Sequence, residues 1–308
     1  MDNVRLFLFM ALAFLGMLLY QAWQEDYGPK PVATAENANP AEPVAGDTPT
    51  APRQADIDNA APSVPGVPTP EAAKSSGLIK IVTDTLDLVL DSRGGTIVDA
   101  RLIQYPVAVN KPDEKFRLLS QRPSDYFIIQ SGLLGSETER TPTHEAVFTA
   151  AGDRFELADG EDQLTVDLLW QSADGVQVTK RYTFTRGSHA VRLEHLVNNN
   201  SETAWSGRDY RQLQRGEPAD SGSAFMYTYT GGAIYSQEDK YQKYDFEELG
   251  TGQLDRDVKD GWLAMIQHYF LGAIVPPRGE DQHYYGKRLS NGRAVIGGYG
   301  PAKTVAPG

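Results

Sequence analysis

Five histidines carry the side chains best suited to proton transfer or metal binding near neutral pH: His144, His189, His195, His268 and His283. No two of them are four residues apart, so no helical face offers a pair of imidazoles to zinc. His195 shares the parity of Leu193 and Val197, the apolar side of a strand, while its acidic neighbour Glu194 falls on the opposite face. That pattern reads as a hydrogen-bonded core histidine, not as a catalytic base. His189 falls in a turn, His144 and His283 are isolated, and His268 sits between two apolar strands in Gln267-His268-Tyr269.

The other candidate sites are weaker. Asp255, Asp257 and Asp260 loosely resemble calcium ligands, but Lys259 takes a position that needs an oxygen, and the glycine and distal glutamate of such a loop are misplaced. Gly250-Thr251-Gly252 is followed by Asp255 and lacks a βαβ setting, so it does not read as a phosphate cradle. Glu247 and Glu248 read as solvated loop charges. Cysteine is absent, which removes disulfides, thiolate metal sites and a cysteine nucleophile. Gly-x-Ser-x-Gly is absent as well. The expectation is a chain with no catalytic, cofactor-binding or metal-binding residues.

The chain has 308 residues and a net charge of −12, with 29 basic and 41 acidic side chains. A nucleic-acid partner would need a cationic face, so that class is excluded. The length allows one large domain or two ordinary ones. From residue 77 onward the apolar period is two. Ile79 and Ile81, then Leu86, Leu88 and Leu90, alternate with more polar neighbours, and Arg93-Gly94-Gly95-Thr96 turns the chain into 97–102. Leu164, Val166, Leu168 and Trp170 share a parity. Val176, Val178, Tyr182 and Phe184 share the next, with Lys180 as the one polar exception. Val191, Leu193 and Val197 continue the meander. Stretches 226–230, 262–266, 269–275, 284–289 and 294–299 are further strands, and Asn291-Gly292 predicts a type I′ hairpin between the last two. Residues 200–222 and 236–260 are polar and Gly-rich and read as long loops or short irregular strands. Tyr227, Tyr229, Tyr235, Tyr241 and Tyr244 read as packing on the outer face of a sheet, with an apolar binding surface as the alternative. One large antiparallel β-sandwich over 77–308 accounts for these signals.

Ahead of this body lie two different segments. Residues 24–76 form a disordered Pro/Ala-rich linker by composition, with ten prolines between Pro29 and Pro70 and no aromatic residue between Tyr27 and Tyr105. Residues 6–23 read as a transmembrane helix. Leu6, Phe7, Leu8, Phe9, Leu12, Phe14, Leu15, Leu18 and Leu19 are its apolar anchors, and Tyr20 and Trp23 suit the interfacial belt. With its flanks the span approaches the roughly 20 residues needed to cross the hydrocarbon. Arg5 precedes it and Glu25 and Asp26 follow, which favours a cytoplasmic 1–5 and a translocated remainder. A cleaved signal peptide is the competing reading, but Tyr20 and Ala22 around Gln21 make a poor cleavage site.

Three stretches carry a family resemblance. Met1-Asp2-Asn3-Val4-Arg5 leads into an apolar run closing on Tyr20-Gln21-Ala22-Trp23. Leu86-Asp87-Leu88-Val89-Leu90-Asp91-Ser92-Arg93-Gly94-Gly95-Thr96-Ile97 is the second. Gly261-Trp262-Leu263-Ala264-Met265-Ile266-Gln267-His268-Tyr269-Phe270, running on to Ile274-Val275-Pro276, is the third and most specific. Together they resemble the N-terminal part of the YidC membrane protein insertases of Gram-negative bacteria. The resemblance implies an inner-membrane protein whose periplasmic domain is a twisted β-supersandwich akin to galactose-mutarotase folds. It also implies no nucleotide or metal. The expected partners are the lipid bilayer, nascent inner-membrane proteins and components of the Sec translocon, with a chaperone-like or docking role. Family members continue into further transmembrane helices that form the insertase groove. None follows here, so the sequence reads as an N-terminal fragment with an incomplete sandwich. The alternative is a tethered carbohydrate-binding or aldose-epimerase-like sandwich. It is weakened because Asn198-Asn199-Asn200-Ser201 is followed by no histidine of the kind such enzymes use at the sugar ring.

Overall fold

The computed structural model describes Met17 and residues 77–217, 229–267 and 269–308. All of these but Met17 fall in the second of two compact units, Ala45–Gly308. The anchor residues from Leu6 to Trp23, the linker, His268 and the start of the strand expected at 226–230 lie outside the described residues. No helix among the described residues is long and apolar enough to cross a membrane.

Alternating sequence becomes alternating burial from the first strands onward. In β1 (Leu78–Val82) Ile79 and Ile81 point inward, and in β2 (Leu86–Asp91) Leu86, Leu88 and Leu90 do so. β3 (Thr96–Ala108) and β4 (Lys111–Leu119) form a long hairpin with register shifts, whose distal part is exposed. β5 (Phe127–Leu134) is buried almost throughout, as befits a central strand. β6 (Thr149–Ala150) and β7 (Arg154–Glu156) are short. β8 (Gln163–Gln171), β9 (Val176–Thr185) and β10 (Val191–Asn199) form the expected meander.

Of the two regions expected as long loops or short irregular strands, 236–260 holds short strands and 200–222 holds a long one. Residues 200–222 contain β11 (Trp205–Arg215), an eleven-residue strand that pairs with β5 on one side. Residues 236–260 contain the end of β12 (Thr230–Ser236), then β13 (Lys240–Tyr244), a five-residue helix α1 (Phe246–Gly250) and β14 (Asp255–Lys259). The helix is too short to show a period, but Asp245 and Glu248 form a reciprocal capping box at its start. The chain continues through β15 (Trp262–Gln267), β16 (Phe270–Ile274), β17 (Asp281–Arg288), β18 (Ala294–Tyr299) and β19 (Lys303–Val305). The hairpin between β17 and β18 is not type I′. Gly292 has φ +80° but Asn291 does not share the left-handed region. The Gly292 amide closes a turn onto the Leu289 carbonyl, so glycine follows a type I-like turn in the common bulged hairpin.

These strands make three sheets. The largest has eleven strands in the order β14-β17-β18-β11-β5-β3-β2-β1-β7, with β19 on β11 and β4 on β3. Two four-stranded sheets, β10-β9-β8-β6 and β13-β12-β15-β16, pack onto it. One continuous core joins all three: Leu88 and Leu213 from the large sheet, Leu168 and Phe184 from the first small sheet, Ile234 and Met265 from the second. Arg215 pins the second small sheet, donating to the Ile266 carbonyl while its guanidinium lies 5.1 Å from the centre of the Phe127 ring. The fold is the all-β twisted sandwich expected from the sequence.

Candidate functional site

Between the two small sheets the floor of the large one is left open. The result is a groove of about 1070 Å³, above the upper end of common small-molecule pockets. Its floor is apolar, from β2 through β5, with Leu86, Leu102 and Ile129 among the lining residues. One wall is the strand β10, through Val191 and Leu193. The other is β16, through Phe270 and Ile274. Both are terminal strands of their sheets. Phe270 stacks on Phe116 at 4.1 Å and meets the edge of Tyr105 at 5.5 Å, so β16 is held over the β3–β4 hairpin by aromatic packing. Tyr105 also meets His189 at 5.8 Å, which places that histidine on the groove wall.

Beside this floor lies a charged cluster in which Lys180 and His195 are buried and Asp209 and Arg211 are partly exposed. Lys180, the polar exception in β9, is fully buried and donates to the carbonyls of Gly94 and Ser131 and to the Ser131 hydroxyl. Burial pushes its ammonium down to about 7, against the pull of Asp209. Directly across the ladder stands His195, whose side chain is 4% exposed and lies 3.5 Å from Asp209. Burial holds His195 below the usual histidine range. The expected core histidine is present, with Asp209 as its polar neighbour. Asp209 is held below the usual carboxylate range: burial pushes it up, but His195, Arg211 and Lys180 outweigh that. Arg211 pairs with Asp209 at 2.6 Å and also donates to the Leu193 carbonyl on β10.

This cluster explains the second resemblance stretch. Gly94 and Gly95 both have positive φ, +71° and +59°, and their carbonyls accept from Lys180 and from the Tyr182 hydroxyl respectively. A Cβ on Gly94 would lie 2.2 Å from the His144 carbonyl oxygen, so only glycine fits. Thus Gly94 and Gly95 hold the β2–β3 turn against β9 and do not present a side chain to a ligand.

The third stretch divides in two. A Cβ on Gly261 would meet the Tyr235 carbonyl oxygen at 2.3 Å, and Trp262 stacks on Tyr235 at 6.0 Å, so these residues serve close packing of β12 on β15. Gln267 pairs in the ladder with Phe270 and Thr230. Tyr269 and Phe270 instead belong to the groove wall, Tyr269 being 84% exposed.

The remaining histidines have structural surroundings. His144 meets the Tyr210 hydroxyl through Nδ1 and through its backbone amide. His283 is not isolated. It sits between Asp255 at 2.7 Å and Asp257 at 2.9 Å and stacks on Tyr299 at 4.9 Å. Among the described residues no group of three or more His, Asp or Glu is arranged to hold a metal ion. Asp209 and Arg211 lie in 200–222, whose polar, Gly-rich composition predicts long loops or short irregular strands and singles out no site residue. The usable signal was a run free of proline from Trp205 to Arg215, with Trp205, Tyr210 and Leu213 inside it.

Fold and site define a layered β-sandwich that holds an apolar-floored groove beside an ionic cluster built on the buried Lys180 and His195. Residues 78–308 match the YidC periplasmic domain. Over its whole length the chain is 41% identical to the membrane protein insertase YidC of Methylococcus capsulatus and 40% identical to that of Thioalkalivibrio sulfidiphilus, covering 55% and 56% of those proteins. The chain belongs to the YidC membrane protein insertase family, and it spans about half the length of these relatives. Membership places the sandwich as the periplasmic domain of an inner-membrane protein. Two solved structures also align. A galactose mutarotase related enzyme from Lactobacillus acidophilus does so at 9% identity and TM-score 0.38, covering 72% of this chain and 85% of its own. A galactose mutarotase-like protein from Lactobacillus casei ATCC 334 does so at 8% identity and TM-score 0.39, covering 75% and 98%.

Proposed function

We propose that this chain is the anchor and periplasmic body of a membrane protein insertase. Residues 6–23 hold it in the inner membrane, 24–76 act as a spacer, and 77–308 form the body. The body assists nascent inner-membrane proteins without catalysis, by keeping an apolar segment in the groove between β10 and β16 while the membrane half of the protein carries out insertion. Components of the Sec translocon dock on the same body. The observation that carries this reading is the groove itself, apolar on its floor and rimmed by the exposed Tyr105, Tyr269, Leu271 and Val275. A catalytic reading has less support, because the imidazole of His195 is shut beneath β10 against Lys180 and Asp209, and Glu194 falls on the other parity.

The test is photocrosslinking in the full-length insertase. A photoreactive residue at Tyr105 should capture a nascent inner-membrane protein, whereas one at Lys287 on β17, away from the groove, should not. Equal yields at the two positions would remove the groove from the mechanism.

A further inference from the structure

The terminal strands of the three sheets are not alike. β14 reads Asp-Arg-Asp-Val-Lys, β13 Lys-Tyr-Gln-Lys-Tyr and β7 Arg-Phe-Glu. β4 carries Lys111, Asp113, Glu114 and Lys115, β19 begins with Lys303, and β6 is only two residues long. β10 carries Arg192 and Glu194, and its Leu193 carbonyl is already taken by Arg211. Charge, brevity and capping are the devices by which natural sheets stop a foreign strand from adding to an edge. β16 is also short, five residues ahead of Pro276 and Pro277, but it carries no charged side chain. It reads Phe-Leu-Gly-Ala-Ile and runs on into Val275, pairs only with β15, and ends its sheet among the described residues.

Its side chains alternate. Phe270, Gly272 and Ile274 turn toward the body, while Leu271 and Val275 are 49% and 70% exposed. A strand added here would therefore meet apolar side chains on both of its faces and a free row of amides and carbonyls along its edge. A charged segment would set its side chains against Leu271, Ala273 and Val275, and β16 has no charged side chain to pair with them. An extended apolar one would find both hydrogen bonds and burial.

We infer that β16 takes up an extended, uncharged apolar peptide as an additional β-strand, so that the groove holds its occupant through the backbone as well as through side chains. The inference rests on the groove reading above and gives it a binding mode. Recognition by main-chain hydrogen bonds is tolerant of sequence, which suits a site that must accept many different apolar segments.

The experiment uses the 308-residue chain in lipid nanodiscs and a fluorescent heptapeptide of alternating Val and Leu with a lysine at each end. Two isomers of the probe are N-methylated at alternate residues, one along each edge, which preserves their side chains but blocks hydrogen bonding on one side. One isomer should bind at least tenfold more weakly than the parent, the other about equally, and Leu271→Lys should weaken the parent at least tenfold. Equal binding of both isomers and the parent would overturn strand addition while leaving the groove reading intact. Failure of the parent peptide to bind at all would overturn both. If sedimentation shows the chain pairing with itself through β16, with Leu271→Lys abolishing the dimer and peptide not competing, the occupant is a second copy and the inference fails.

Discussion

His195 faces Lys180 directly across the β9–β10 ladder, so two basic side chains share one buried site, with Asp209 and Arg211 of β11 set against them. A core that holds two bases titrates in a predictable direction. The folded Lys180 has its ammonium pushed down to about 7, below the ordinary lysine value. Between that value and the unfolded pKa of about 10.4, the unfolded state binds more protons. Stability from this site therefore rises with pH across that window and is lowest at and below pH 7. His195, also depressed, has the same sign and removes further stability as pH falls through the ordinary histidine range. Urea unfolding of the wild type should strengthen between pH 7 and 9.5 relative to Lys180→Met, by a change on the order of a few kcal/mol. Parallel pH profiles for the two proteins would show that Lys180 is not depressed in the fold.

The Gly94 position should tolerate no side chain. Alanine there must adopt a left-handed conformation and drive its Cβ into the His144 carbonyl. The loss should be about 3 kcal/mol or more, because backbone strain and a backbone clash add. Gly292→Ala is the matched control. It has a similar φ of +80° but open space around it, and should cost only about 1 kcal/mol. Similar losses at both positions in chemical denaturation would show that the clash at Gly94 relaxes freely.

β11 was illegible for a physical reason. Strand signals rest on alternating apolar residues, and β11 reads Trp-Ser-Gly-Arg-Asp-Tyr-Arg-Gln-Leu-Gln-Arg. Most of its polar residues are at home in the middle of the large sheet because they have partners there. Arg211 pairs with Asp209, and Gln212 accepts from the Tyr285 hydroxyl while donating to Gln130. No local pattern announces partners that lie some 80 residues away. The meander of β8, β9 and β10 was legible because its partners are neighbours in sequence. The second and third resemblance stretches were legible too, but their roles were not. Gly94, Gly95 and Gly261 turned out to serve close packing, whereas Tyr269 and Phe270 line the groove.

The amide network of β11 should behave as a unit. Gln212→Ala leaves the buried Gln130 amide and the Tyr285 hydroxyl each short of one bond, which should cost about 2–3 kcal/mol. Replacing both amides, Gln130→Leu with Gln212→Leu, removes the desolvation burden along with the bond. That double variant should be less destabilised than the sum of the two single leucine variants. Simple additivity in a double-mutant cycle would mean that the two glutamines do not act together.

Tyr269 and Phe270 are adjacent in sequence but should respond in opposite ways. Tyr269 is 84% exposed, so Tyr269→Ser should leave stability within about 0.5 kcal/mol of wild type. Phe270 stacks on Phe116 and abuts Tyr105, and it is the ring that holds β16 over the hairpin. Phe270→Ala should therefore cost about 2 kcal/mol or more and loosen that wall of the groove. In the photocrosslinking assay from position 105, Tyr269→Ser combined with Val275→Ser should lower capture of nascent chains with no change in the urea midpoint. Unchanged capture by that doubly substituted, fully stable protein would mean that the exposed rim is not where the apolar segment is held.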